Sequence, residues 1–190
     1  MKNPVLTASG TFGYGTEYTG LLDIELLGGI MVKGLLSESW EGNNYPRMVE
    51  VRGGLVNAIG LQNPGVEAFI NDYLPFLREK DTAVIANIWG RSAEEYAEVA
   101  RRLDDVPGVD GLEINISCPN IKEGGISFGT DPRATDRVVS TVRKATSLPI
   151  IPKLSPNVSD IKIFARVSEE AGADALSLIN TIPAMVIDIE

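Results

Sequence analysis

The residues best suited to chemistry in this chain fall in one short run, Gly111–Asn120, which reads G-L-E-I-N-I-S-C-P-N. Leu112, Ile114 and Ile116 alternate with polar residues, the pattern of a short strand. The strand must break at Cys118-Pro119, because the residue before a proline is driven away from helix and Pro119 has no N–H to donate. Asn115, Ser117, Cys118 and Asn120 therefore gather at one strand end and the turn after it. Cys118 is the only thiol of the chain. A single cysteine is by itself more often a small buried apolar residue than a base or nucleophile. A thiol among polar side chains at the carboxyl end of a strand is nevertheless how a parallel α/β enzyme presents its chemistry. To act as a base, a thiol must have its ordinary pKa of about 8.5 brought toward neutrality by nearby donors or cations.

Other polar residues occupy equivalent places. Ser9, Lys33, Asn87 and Asn180 follow short apolar runs, and Lys153 lies near the end of another. With Asn115 and Cys118 they describe a mouth of asparagines, lysines, a serine and a thiol, with no fixed carboxylate aimed into it. Such a mouth suits an anionic, amide-rich ligand better than a sugar or a metal. Asparagine matches both donors and acceptors of a planar heterocycle, and lysine holds a carboxylate or the negative charge of a reduced cofactor. The plainer alternatives are turn or cap roles for each asparagine and surface-reaching lysines.

The bulk composition narrows the classes. At 190 residues the chain is read as one domain, 1–190, long enough for a proper core. No apolar run approaches a membrane span, and the start M-K-N-P-V-L carries no secretory signal. One cysteine precludes an internal disulfide and fits a cytoplasmic location. There is no histidine and no cysteine spacing for zinc or iron–sulfur, so no metal site is expected. A net charge of −9 argues against nucleic acid or an anionic membrane as partner.

The elements that must position these residues follow in order. Pro4–Ala8 is a short apolar strand, Glu17–Leu27 a helix ended by Gly28-Gly29, and Ile30–Val32 a buried strand. An irregular insertion over 35–63 holds a hairpin around Arg52-Gly53-Gly54, and Asn63-Pro64 is read as N-cap and first-turn proline of the next helix. Ala83–Ala86 is a strand, and Ser92 with Glu95 a capping box for the helix after it. Asp131-Pro132 and Ser159 start two further helices on either side of the strand Leu148–Leu154, and Ala173–Ile179 is a sixth strand. Alternating strands and helices mean parallel βα units. An open doubly wound sheet places polar residues mainly at its switch point, whereas a barrel turns every strand end toward one mouth. Polar residues at the same end of six strands, with no G-x-G-x-x-G after the first, favour a (β/α)8 TIM barrel. A complete barrel takes about 250 residues, so this one is read as truncated after about six βα units and short at its amino end.

Several of these motifs resemble the class 1 dihydroorotate dehydrogenase family: A-S-G-T-F-G-Y-G, V-K-G, N-A-I-G-L-Q-N-P-G, N-I-S-C-P-N, K-L-S-P-N-V and the final I-N-T. Gln62, the loop G-G-I-S-F-G-T-D-P and K-L-S-P-N-V are most similar to the NAD-linked 1B catalytic subunits. The resemblance implies an FMN enzyme of pyrimidine synthesis that oxidises (S)-dihydroorotate to orotate. By that resemblance Cys118 is the base that removes the C5 proton while hydride leaves C6 for flavin N5. Lys33, Asn57, Ala58, Ile59, Gly60, Leu61, Asn115, Asn120, Asn180 and Thr181 would hold the substrate. Ser9, Gly10, Lys33, Asn87, Asn115, Lys153 and Ile179 would line the flavin, and the glycine-rich loop after Asn120 would close over the site. Electrons would leave through a partner subunit carrying FAD and a 2Fe-2S cluster, in a heterotetramer. Fumarate-linked class 1A enzymes and dihydropyrimidine dehydrogenase-like barrels share the cysteine chemistry and differ in acceptor. A tRNA dihydrouridine synthase is disfavoured by the acidic charge. A non-catalytic fragment that only binds ligand or partner is the reading from another class.

Overall fold

The computed structural model describes residues 1–117 and 128–187. Among them run β1 (Gly29–Met31), β2 (Met48–Val51), β3 (Gly54–Asn57), β4 (Ala83–Ile88), β5 (Gly111–Asn115) and β6 (Ile150–Lys153). The parallel sheet has the order β1-β4-β5-β6, and β2 with β3 forms a separate antiparallel hairpin. The sheet curls into a half-barrel, so the barrel class expected from the strand ends holds.

Helices α1 (Val66–Ala68), α2 (Leu74–Arg78), α3 (Ala93–Asp104), α4 (Pro132–Arg143) and α5 (Ile161–Glu170) follow in chain order. Neighbours α3 and α4, and α4 and α5, pack on each other outside the strands. β5 is buried along its whole length, as a parallel strand covered on both faces must be. Leu112 and Ile114 pack with Val99, Leu103, Val138 and Val142 in the core between sheet and helices. Opposite-parity residues, Glu113 and Asn115, therefore face the inside of the curl. Register puts Asn87 beside Glu113 and Asn115 beside Lys153.

Local signals explain most element ends. Asp131 accepts from the Arg133 N–H with Pro132 in the first turn, and Ser92 accepts from the Glu95 N–H, as read from the sequence. The returning half of the capping box is displaced: the Glu95 carboxylate accepts from the Arg91 N–H at 2.6 Å rather than from Ser92. The hairpin turns at Arg52-Gly53 with Gly53 at φ +84°, a conformation glycine supplies without strain.

Five expectations need correction. Glu17–Leu27 is not one helix but two 3₁₀ turns, Thr16–Tyr18 and Ile24–Leu26, because the Asp23 side chain accepts from the Glu25 N–H and restarts the chain from an extended residue. Asn63 is not an N-cap. Its Oδ1 accepts from the N–H groups of Leu36 and Gly65 while its amide donates to the Leu61 carbonyl, and Gly65 precedes α1. The helix after it widens to a π segment, Phe69–Tyr73, ahead of α2. Pro75 has no N–H for the α-helical bond back to Asn71, which forces that widening. The last helix is capped by Asp160 rather than Ser159. Pro4–Ala8 and Ala173–Ile179 are reduced to single bridges, Leu6 with Gly29 and Lys153 with Ser177. In the latter, Asp174 and Ser177 donate to Ile150 and Pro152, and Asn180 donates to Leu154, so the outer segment has one residue too many on each side of Ser177. That mismatch breaks the ladder.

Candidate active site

At the carboxyl ends of the parallel strands lies a cavity of about 340 Å³. Its lining includes Ser9, Gly10, Lys33, Asn57, Ala58, Ile59, Gly60, Leu61, Asn87, Asn115, Lys153, Asn180 and Thr181, together with Thr11 and Gly34. Residues separated by more than a hundred positions thus meet around one space. Ile179 is exposed and is not part of that lining. Cys118, Asn120 and most of the glycine-rich loop lie outside the described residues.

The floor is a buried polar network. Lys153 Nζ donates to Ser9 Oγ at 2.9 Å, and the Ser9 hydroxyl donates to Glu113 Oε2. Asn87 Nδ2 donates to the same carboxylate oxygen at 2.5 Å and reaches Ser9 Oγ at 3.3 Å. Glu113 Oε1 stands 3.8 Å from the Lys153 ammonium, and the carboxyl side chain is fully buried. Among the described residues the cavity lining itself carries no carboxylate, but a buried one lies beneath it that the sequence reading did not place. The signal was in the sequence: in G-L-E-I-N, Glu113 has the same strand parity as Asn115 and must point the same way.

Beside the floor, Asn180 Nδ2 donates to Asn115 Oδ1 at 3.0 Å, which orients the Asn115 amide with its N–H groups turned elsewhere. Tyr96 of α3 donates to the Asn115 carbonyl at 2.7 Å and holds the end of β5 from behind. Ser117, grouped above with the reactive residues, is instead structural: its buried hydroxyl donates to the Lys153 carbonyl at 2.6 Å and ties β5 to β6. Gly34 passes so close to Asn87 that a Cβ there would stand 2.8 Å from Asn87 Oδ1.

The opposite wall comes from the hairpin. The Ala58 and Ile59 carbonyls accept from Asn43 at 2.8 and 3.0 Å, and the Gly60 carbonyl accepts from the Trp40 indole at 3.0 Å. Leu61 sits at φ +60°, a left-handed conformation that costs a residue with a Cβ about 1 kcal/mol. Arg47 donates to Gln62 Oε1 and to the carbonyls of Glu41 and Asn43. Sequence reasoning missed Arg47, which lies in a stretch with no periodicity to place it. Lys33 borders both this cavity and a neighbouring cleft of about 420 Å³. Burial, then the positive charge of Arg47, hold its ammonium below the ordinary lysine pKa, with Glu17 opposing.

The class this geometry defines is a parallel α/β half-barrel whose strand ends share one polar mouth of asparagines, lysines and a serine. A crystal structure of dihydroorotate dehydrogenase from Eimeria tenella, in complex with ferulenol, shares the fold with a TM-score of 0.79 over 97% of this chain and 58% of that one, at 17% identity. A profile of the dihydroorotate dehydrogenase family matches residues 1–190, and the chain belongs to that family. Catalytic subunits named dihydroorotate dehydrogenase B (NAD(+)) are 57% identical in Geobacter sp. (strain M21) and 56% identical in Desulforudis audaxviator (strain MP104C). Both alignments cover all of this chain and 62% of the relative, so the chain spans less than two thirds of the relatives' length.

Proposed function

We propose that the chain provides the flavin- and substrate-facing surface of an FMN-dependent dihydroorotate dehydrogenase of the NAD-linked type. The observation that supports this best is the convergence of Lys33, Asn87, Asn115, Lys153 and Asn180 on one cavity, beneath which one oxygen of the Glu113 carboxylate accepts from Ser9 and Asn87. The donor set fits the cofactor. The Lys153 ammonium has three N–H groups, of which Ser9 accepts one, and the Asn115 amide N–H groups are not used by Asn180. Ser9, Gly10, Asn87 and Lys153 would hold FMN, which supplies the hydride acceptor when bound. Lys33, Asn57, Asn115, Asn180 and Thr181 would bind the ring and carboxylate of dihydroorotate, with Asn120 beside them. Residues Ala58–Leu61 form the wall that excludes water from the ring. Cys118 would take the C5 proton.

The name of the relatives, a catalytic subunit, supports a partner subunit to receive the electrons. We assign FAD and a 2Fe-2S cluster to that partner, in a cytoplasmic heterotetramer. Among the described residues no helix is long and apolar enough to cross a membrane.

The test is anaerobic: FMN is added to the protein, then dihydroorotate, and the absorbance of oxidised flavin is followed. Bleaching is expected. Cys118→Ala should abolish bleaching while leaving the orotate titration intact. A protein that binds no flavin overturns the reading and leaves the chain a ligand- or partner-binding fragment.

A further inference from the structure

Glu113 is the least exposed charged side chain at the floor of the site, and nothing in the family motifs quoted above gives it a role. A carboxylate without access to water costs several kcal/mol unless it is fully paired, and a well-packed apolar residue of like volume is often at least as stable there. What Glu113 contacts is therefore more informative than its burial. All its partners line the cavity: it accepts from the Ser9 hydroxyl and from Asn87 at 2.5 Å, and its other oxygen lies 3.8 Å from the Lys153 ammonium.

These contacts fix three neighbours together. With its hydrogen given to Glu113, Ser9 turns its lone pairs to Lys153 at 2.9 Å and Asn87 at 3.3 Å. With its NH₂ given to Glu113, Asn87 keeps its oxygen on the side of Gly34, where the absence of a Cβ leaves room for it. Lys153 is thus held through Ser9, and its positive charge is offset by a negative one within the same network.

We propose that Glu113 is a positioning residue: it pins the Lys153 ammonium and the Asn87 amide at the cavity floor and tempers the positive charge that Lys153 presents to the ligand there. The flavin part of this statement rests on the function proposed above; the pinning does not. Glu113→Gln keeps the shape and an oxygen for Ser9 and Asn87, but removes the counter-charge and turns an N–H donor toward the Lys153 ammonium in place of Oε1, so Lys153 is pushed from its place.

Two measurements separate the parts. In flavin-free protein, amine acetylation by limiting acetic anhydride is read by peptide mass spectrometry, with the exposed Lys162 as internal reference. E113Q should raise Lys153 labelling relative to Lys162 several-fold, and Glu113→Asp should restore part of the protection. An unchanged ratio overturns the pinning. Should E113Q fail to fold, Ser9→Ala asks the same question by removing the hydroxyl that joins Lys153 to Glu113; there, too, an unchanged ratio overturns it. In FMN-loaded protein, E113Q should raise the flavin midpoint potential and tighten sulfite binding, because an uncompensated ammonium favours negative charge on the ring. Raised labelling with unmoved potential and sulfite affinity keeps the pinning and overturns the placement of flavin against Lys153.

Discussion

The two sides of the cavity are built on different principles. The floor joins Ser9, Asn87, Glu113 and Lys153, drawn from four places in the chain, in a network shielded from water. The wall, Asn57–Leu61, is held by residues close to it in sequence, Trp40, Asn43 and Arg47, and stands on a hairpin whose strand β2 is exposed throughout. Charges on the floor interact in a low-dielectric setting, where each partner's loss leaves an unpaired buried group. Charges on the wall are softened by solvent, so substitutions there alter the ligand's surroundings more than the fold. The comparison separates a floor whose partners must stay paired from a wall that can vary without loss of the fold.

The sharpest way to break this comparison is at the floor. Glu113→Ala leaves Lys153 buried without its counter-charge and should cost about 3 kcal/mol in urea unfolding. A cost near zero would show that the network is wetter than its burial implies. Next comes the anchor between floor and wall. Asn63→Ala removes hydrogen bonds to Leu36, Leu61 and Gly65, and should cost about 2 kcal/mol while loosening the 57–61 loop to proteolysis.

On the wall, Arg47→Ala should change stability by only about 0.5 kcal/mol, yet alter the pH dependence of anion binding. The Lys33 ammonium binds an anion only while protonated, and its pKa lies below the ordinary 10.5, so affinity is present at low pH and lost as pH rises through the lowered value. Removing Arg47 lifts one cause of that lowering and should move the loss to higher pH, read by orotate titration across the alkaline range. The smallest effect lies away from both regions. Asp104 accepts from the Thr146 hydroxyl at 2.5 Å and the Ser147 N–H at 2.6 Å, which hold its carboxyl below the ordinary 3.8. A depressed acid stabilises above its unfolded value and ceases to do so as pH falls through its folded one. The stability gap between wild type and Thr146→Val should therefore be widest near neutrality and shrink with acidification below about 3.8, the unfolded value.

How much of this was legible beforehand differs by element. Ser92 and Asp131 act locally, through hydrogen bonds to residues two or three positions on, and their roles could be read directly. Asn63 could not: the pair Asn-Pro looks like a helix start, but its side chain is claimed by Leu36, 27 positions earlier. The convergence of Lys33, Asn87, Asn115, Lys153 and Asn180 was legible because parallel strands send their ends to one side. Glu113 was overlooked although strand alternation already placed it inward.

The sequence by itself determined the alternation of strands and helices, the inward parity of β5 and the family motifs, because each depends on short-range periodicity or local steric limits. Only the tertiary structure decided that Glu113 meets Ser9, Asn87 and Lys153, that Ser117 serves β6 rather than the cavity, and that Arg47 acts on Lys33. Those outcomes depend on the register between strands and the path of the hairpin. Both are set by packing across the whole curl, which no local run of residues encodes.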